Sequence, residues 1–484
     1  MTTEVLLPVV KERSALWSEL VAQAEAYIES VESLPVAPSL NQAEVHAVLD
    51  TFSFDEPGSR TDVLRRFTTE LKRHQVHTPH PCYFGLFNPA PAFMGILGDC
   101  ITATLNPQLA AWSHSPLAVE TERRLIHAFA AKFGFSQEYA DGCLTSGGNE
   151  ANLTALLCAL TERWPGILEN GLQSVAEKPA FYASAESHHS FLKAARTAGL
   201  GRAALRTVPV TDELQMDIDA LRTMIEHDRG LGYEPFLVIG TAGTTGAGVV
   251  DPLVAIGDVA HTNRLWFHVD AAWGGAAVLV PELGPVLSGI ESSDSITFDP
   301  HKYLSMPMGA GMFLTRHRDA SSRIFSVSTA YMPKEGERLA VVDPYAHSLQ
   351  WSRRFIGLKL FLTLATTGWD GYARILRHQS EMGDLLRDRL RGNGWSIVNR
   401  TRLPLVCFTP SKEEWDMAMH QRVSDAVVES GRAWISTILL GGKKPALRAC
   451  ITNYRTGPEH IEALIKVLSD VRGNVSAATP SGCL

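Results

Sequence analysis

The sequence lacks the cysteine spacing of a metal site or of a disulfide framework. Its seven cysteines, Cys82, Cys100, Cys143, Cys158, Cys407, Cys450 and Cys483, lie scattered over 484 residues with no CxxC pair. That pattern fits a reduced, cytoplasmic compartment, with each thiol acting as a small apolar side chain. A basic tract is also missing, and the formal net charge is −8, which argues against nucleic acid as a partner. No apolar run is long enough to span a bilayer, and no internal repeat is present. The start, Met1-Thr2-Thr3-Glu4-Val5-Leu6-Leu7-Pro8, has neither the basic region nor the apolar length of a signal peptide. With 45% hydrophobic and 20% charged residues, the chain reads as a globular protein large enough for more than one domain.

Against these absences, one stretch concentrates chemistry: Ser295-Ile296-Thr297-Phe298-Asp299-Pro300-His301-Lys302-Tyr303-Leu304. A β-prone run ends at Asp-Pro, because Pro300 lacks an N–H and biases Asp299 away from helix. Lys302 therefore sits beyond a strand's end, where open α/β sheets hold ligands. A lysine there can be an amine nucleophile toward a carbonyl cofactor. Taken alone it is also what a solvated lysine looks like. Asp270, at the end of Leu265-Trp266-Phe267-His268-Val269, is a carboxylate directly after residues that look buried. A buried cation, such as a protonated pyridine nitrogen, would account for it, and so would a strand-end turn. Thr145-Ser146-Gly147-Gly148-Asn149 opens a helical pattern over Asn149–Arg163, and glycines at a helix start expose N–H groups to an anion. Gly240-Thr241-Ala242-Gly243-Thr244-Thr245-Gly246-Ala247-Gly248 follows an apolar strand. Its small residues suit a backbone lying against a flat ligand.

In chain order, TSGGNEAN, SHHS, GTAGTTGAG, HVDAAWGG and DPHKY resemble the group II pyridoxal-phosphate (PLP) amino-acid decarboxylases. That family includes the aromatic-amino-acid, glutamate, cysteine-sulfinate and diaminobutyrate enzymes. The resemblance runs from about His80 to Arg455. It implies an α/β fold of the PLP-dependent transferase type (fold type I, aspartate-aminotransferase-like), with a mostly parallel sheet, a small C-terminal α+β domain and an N-terminal helical arm. The expected divisions are 1–78 for a dimerisation arm, 79–366 for the large PLP-binding domain and 367–484 for the small domain. Alternating helical and apolar segments agree, with strands expected at Ala180–Ala183, Ala204–Pro209, Phe236–Thr241, Leu265–Val269, Ser295–Phe298 and Gly311–Thr315. The small domain should hold strands at Trp395–Val398, Leu405–Thr409 and Leu447–Tyr454, with Asn474 to Leu484 frayed. The arm carries helical periodicity over Leu16 to Val31 and Thr61 to Gln75. In the family such an arm packs on a second subunit, so the resemblance implies a homodimer with composite active sites.

The resemblance also implies roles. Lys302 holds PLP as a Schiff base, and Asp270 keeps the pyridine nitrogen protonated. His188, in preference to its neighbour His189, stacks on the ring. Ser146, Gly148, Asn149 and His301 hold the phosphate, Thr245 lies near the 3-hydroxyl, and Ala272 belongs to the cofactor wall. Arg448 is aimed at the substrate, although a structural arginine pairing across domains fits as well. Tyr345, on a loop running from Gly336-Glu337-Arg338 to Asp343-Pro344-Tyr345 upstream of Arg353-Arg354-Phe355, is the candidate proton donor to Cα. Substrate choice falls to the Tyr83–Asn88 stretch and to Gln108 to Trp112, with Tyr83, Phe84, Leu86 and Phe87 forming a partly apolar wall. They favour neutral or aromatic substrates, whereas the Trp112–Pro116 stretch and Trp273-Gly274-Gly275 look more like the glutamate and diaminobutyrate branch. Three departures stand out: Tyr345 matches with about a one-residue shift, Ser352 stands where aromatic-amino-acid decarboxylases have glycine, and Asp299 where many members have asparagine. The implied reaction is decarboxylation of an L-amino acid to its amine and CO2. A carbon–carbon lyase or a decarboxylating aldehyde synthase would use the same lysine and aspartate, and a non-catalytic binding protein could keep the fold. His188-His189 lack a third ligand at metal spacing, so no metal is expected.

Overall fold

The computed structural model describes residues 3–39, 41–327, 339 and 341–477. Its frame is a seven-stranded sheet in the order β1-β7-β6-β5-β4-β2-β3. The strands are β1 Asp141–Thr145, β2 Lys178–Ser184, β3 Leu205–Val208, β4 Tyr233–Thr241, β5 Trp266–Asp270, β6 Ser295–Phe298 and β7 Gly311–Thr315. β3, β2, β4, β5 and β6 pair in parallel, and only β7 runs against its neighbours. β5 and β6 are buried at every residue, as expected for parallel strands covered on both faces.

Successive strand residues feed two apolar layers. Phe181, Leu237 and Ile239 pack with Ala155, Leu156 and Phe191 of the Gly148–Arg163 and Ser190–Thr197 helices. Tyr182 and Val238 point the other way, into the core shared with Phe129, Ile225, Ile256 and Phe298. The two-residue period of a strand therefore divides one sheet between two helical layers.

Register aligns the strand ends. Thr241 pairs with Asp270, and Asp270 with Thr297. The loops that follow β4, β5 and β6 thus leave from one edge, joined there by the turn from β1 into the Gly148–Arg163 helix. A second, antiparallel sheet has the order β10-β11-β9-β8. It comprises β8 Trp395–Ile397, β9 Leu405–Pro410, β10 Ser436–Leu440 and β11 Lys444–Cys450. The Gly357–Gly392 helix bridges the two regions and breaks at Gly368, whose φ is 66°.

β1 and β10 lie outside the strands expected from sequence, and β11 ends at Cys450 instead of extending to Tyr454. The last helix, Pro458–Ala477, continues past Asn474, so the expected fraying begins too early; residues 478–484 lie outside the described set. In the arm, helices cover Val10–Ser30, Gln42–Leu49 and Arg60–Arg73, and none has a buried residue. No described helix is long and apolar enough to cross a membrane.

Candidate active site

At the aligned strand ends lies a cavity of about 240 Å³. Ser146, Gly148, Asn149, His188, Thr245, Asp270, Ala272, His301 and Lys302 all line it. Lys302 Nζ stands 3.1 Å from Asp299 Oδ2, and His301 Nε2 lies 3.9 Å from the same oxygen. Asp299 is buried, and its Oδ1 has no hydrogen-bond partner. A Cβ on Gly148 would meet Asp299 Oδ2 at 2.8 Å, and one on Gly311 would meet Asp299 Oδ1 at the same distance. The glycines therefore admit the Asp299 side chain under the helix start.

Asp270 is held from below. Asn152 Nδ2 donates to its Oδ2 at 2.9 Å, and the Ala272 N–H donates to Oδ1 at 3.1 Å. Asn152 Oδ1 lies 3.1 Å from His268 Nε2, whose other ring nitrogen is 2.8 Å from Ser295 Oγ. Trp266 Nε1 donates to that same hydroxyl at 2.8 Å. Complete burial pushes His268 down to about 4, so the network is built on a neutral imidazole. Burial likewise lowers His188; the Asp270 carboxylate opposes the shift, and Lys302 adds to it. His301 is also lowered by burial. The approach to His188 is tied to the sheet by hydroxyls. Ser187 Oγ lies 3.0 Å from Thr241 Oγ1 and 3.2 Å from Ser184 Oγ.

Asn152, His268 and Thr241 were not singled out by sequence. Asn152 does carry a signal, since it follows Gly148 by four residues and so shares its helix face. His268 precedes Asp270 by two and shares its strand face.

The substrate-side candidates divide. Phe87 stacks on Trp273 with centroids 4.6 Å apart, and it also faces Arg448, whose Cζ is 5.0 Å from the ring centroid. Arg448 is buried; its Nε donates to Thr245 O at 3.0 Å, its Nη1 to Gly85 O at 2.9 Å, and its Nη2 has no partner. Phe84 does not join this wall: it is fully buried in the core of the small sheet, with Tyr83, Val406 and Phe408. Leu86 is 54% exposed. The chain bends at Gly85–Phe87, and the backbone bonds of Phe84 to Trp434 and Cys450 send it into the small sheet while Phe87 turns to the cavity side, so the aromatic run does not form one surface. Tyr345 does not line the cavity of its own chain. It packs with Ala110 and Ala111, and its ring centroid is 4.9 Å from that of Trp351. Residues 336–338 of the loop expected to carry it lie outside the described residues.

This donor set fits PLP. A buried carboxylate faces the cavity from one side and a lysine amine from another. The Gly148–Arg163 helix opens on the cavity, and its first N–H groups have no intrahelical partner. Residues 44–410 match the family described as the pyridoxal-dependent decarboxylase conserved domain. An L-aspartate decarboxylase of Metarhizium robertsii is 31% identical, with 88% of this chain and 86% of that protein covered. A phenylacetaldehyde synthase of Arabidopsis thaliana is 25% identical, with 96% and 97% covered. The structure of Oryza sativa TDC with PLP and tryptamine superposes with a TM-score of 0.89 at 25% identity, covering 97% of this chain and 99% of that one. The chain belongs to the pyridoxal-dependent decarboxylase family, and PLP is its cofactor.

Proposed function

We propose that the protein decarboxylates an L-amino acid to the corresponding amine and CO2, with Lys302 holding PLP through a Schiff base. The observation that carries this reading is the meeting of Lys302, Asp270 and a helix start at Gly148 in one cavity. PLP, when bound, supplies an electron sink for the pair left at Cα. The protein's part is position and charge. Asp270, braced by Asn152 and Ala272, keeps a proton on the pyridine nitrogen. Ser146, Gly148, Asn149 and His301 would hold the phosphate, and Thr245 would lie beside the 3-hydroxyl. His188, held neutral by burial, offers a planar ring to stack. The unpartnered Nη2 of buried Arg448 supports a role in receiving a substrate carboxylate, beside the ring of Phe87.

Proton return to Cα falls to Tyr345, delivered from a partner copy. A homodimer with composite sites is supported by the arm. Leu6, Trp17, Val21, Phe54 and Phe67 are all exposed, and this much bare apolar surface on one arm calls for a covering partner. The six described cysteines are unpaired, which supports a reducing, cytoplasmic setting.

Decarboxylating aldehyde synthesis is the second reading, supported by the Arabidopsis relative. A CO2-release screen over the twenty amino acids, cysteine sulfinate, 2,4-diaminobutyrate and DOPA, scored for amine and aldehyde, tests both. Lys302→Ala should abolish release and the yellow absorbance of bound PLP. Release of CO2 by Lys302→Ala at the wild-type rate would refute the reading.

A further inference from the structure

The turn 245–248 carries Thr245 on the cavity wall, and its ends are closed locally, by the Gly248 N–H on Thr244 O and the Thr244 N–H on Val249 O, each at 2.8 Å. Gly243 and Gly248 have φ of 99° and 68°, and a glycine-rich segment is conformationally permissive. The carbonyls between those ends are held from the small sheet and the loop before β9. Four successive carbonyls each receive one side-chain donor. Arg448 Nε bonds Thr245 O at 3.0 Å, and Cys407 Sγ bonds Gly246 O at 3.3 Å. Asn399 Nδ2 bonds Ala247 O at 2.7 Å, and Thr401 Oγ1 bonds Gly248 O at 2.6 Å.

The donors are themselves anchored. Asn399 Nδ2 also reaches Leu405 O at 3.0 Å, and its Oδ1 accepts from the Cys407 N–H at 2.8 Å. Thr401 Oγ1 accepts from the Leu403 N–H at 3.1 Å. Asn399 therefore reads out the position of β9, and Thr401 that of the loop leading into it, and both transmit it to the turn. The fit is close, since a Cβ on Gly248 would meet Leu405 Cβ at 3.1 Å and one on Gly246 would meet Glu186 Oε2 at 3.0 Å. The same sheet also grips the approach to His188. The Gly441 N–H, at the β10–β11 turn, donates to Glu186 Oε1 at 2.7 Å.

We propose that Asn399 and Thr401 are positioning residues for the cofactor site: they clamp the 245–248 turn to the small sheet and so set the place of Thr245 against PLP. The inference rests on the assignment of Thr245 made above. A set of donors serving only interdomain stability would need no alignment with consecutive carbonyls of one cavity-lining turn.

The test compares Asn399→Ala, Thr401→Val, Thr401→Ser and Thr245→Ala in the full-length protein. PLP affinity is measured by titration of the apoprotein, together with the absorbance spectrum of the bound cofactor and the apoprotein melting temperature. Asn399→Ala and Thr401→Val should each weaken PLP binding about two- to tenfold, the net worth of the one hydrogen bond that each loses to the turn, and shift the spectrum in the same direction as Thr245→Ala. Thr401→Ser, which keeps the donor, should restore both. If Thr245→Ala alters affinity and spectrum while Asn399→Ala and Thr401→Val lower only the melting temperature, the clamp is overturned. If none of the three alters them, the assignment of Thr245 fails, and the clamp with it. Should either clamp variant not fold, the contrast between Thr401→Ser and the other variant still decides the matter.

Discussion

Replacing Asp270 by asparagine removes one charge and little volume from a residue that is 5% exposed. Both carboxylate oxygens accept hydrogen bonds, from Asn152 Nδ2 at 2.9 Å and from the Ala272 N–H at 3.1 Å. An amide in their place must turn its NH2 toward one of these donors. One buried donor is then left unsatisfied, at about 1–3 kcal/mol. The larger effect is on the reaction, because the pyridine nitrogen loses the carboxylate that favours its protonated form. Losing a comparable preorganised electrostatic partner lowers rates by about 10²–10³, or roughly 2.7–4 kcal/mol. The assay is kcat for CO2 release at saturating PLP, with occupancy checked by absorbance. His188 gives a second readout. The Asp270 carboxylate pulls its pKa up against burial, so Asp270→Asn should move the His188 titration further down, as followed by NMR of the labelled imidazole. A variant with full PLP occupancy and the wild-type rate would refute the role given to Asp270.

His268 should make the protein acid-sensitive. It is held near 4 when folded and titrates near 6.5 when unfolded. The unfolded chain therefore binds the extra proton, and about 3 kcal/mol is lost as pH falls from roughly 6.5 to 4. Asp251, raised by burial to about 6, acts with the opposite sign, favouring the fold as pH falls toward its unfolded value. The diagnostic is accordingly a difference between proteins: His268→Gln should flatten the acid limb in denaturant titrations at pH 4–7, and an unchanged limb would contradict the neutral buried imidazole. Removal of residues 1–78 should yield insoluble or inactive protein, and a soluble, fully active monomer in sedimentation would count against the composite site. Tyr345→Phe should still release CO2 but give less amine and more aldehyde in air than under nitrogen. An unchanged amine yield would move proton delivery to another group, with His188→Gln the variant to assay next.

How far the site could be read from sequence depends on where its contacts close. Lys302, Asp270, His188 and the Gly147-Gly148 turn each sit at a strand's end or a helix's start. Such ends are marked locally, by Pro300, by glycine and by a polar residue after an apolar run, and parallel pairing then aligns them without further information. Asn152 and His268 were legible only as periodicity, four residues after Gly148 and two before Asp270. Strand β1, Asp141–Thr145, has just Cys143 and Leu144 as apolar content, too few to signal a strand that is stabilised by its register with β7. Phe84 was misplaced for a different reason. Aromatic residues serve a core and a binding wall equally well, and only the bonds of its backbone to Trp434 and Cys450 turn it inward. The bonds on carbonyls 245–248 lie at the far limit. Their donors come more than 150 positions later, and a backbone carbonyl carries no residue type to recognise. The groups that would touch PLP are thus written in short motifs, whereas those that hold the motifs in place appear only once the two sheets are packed together.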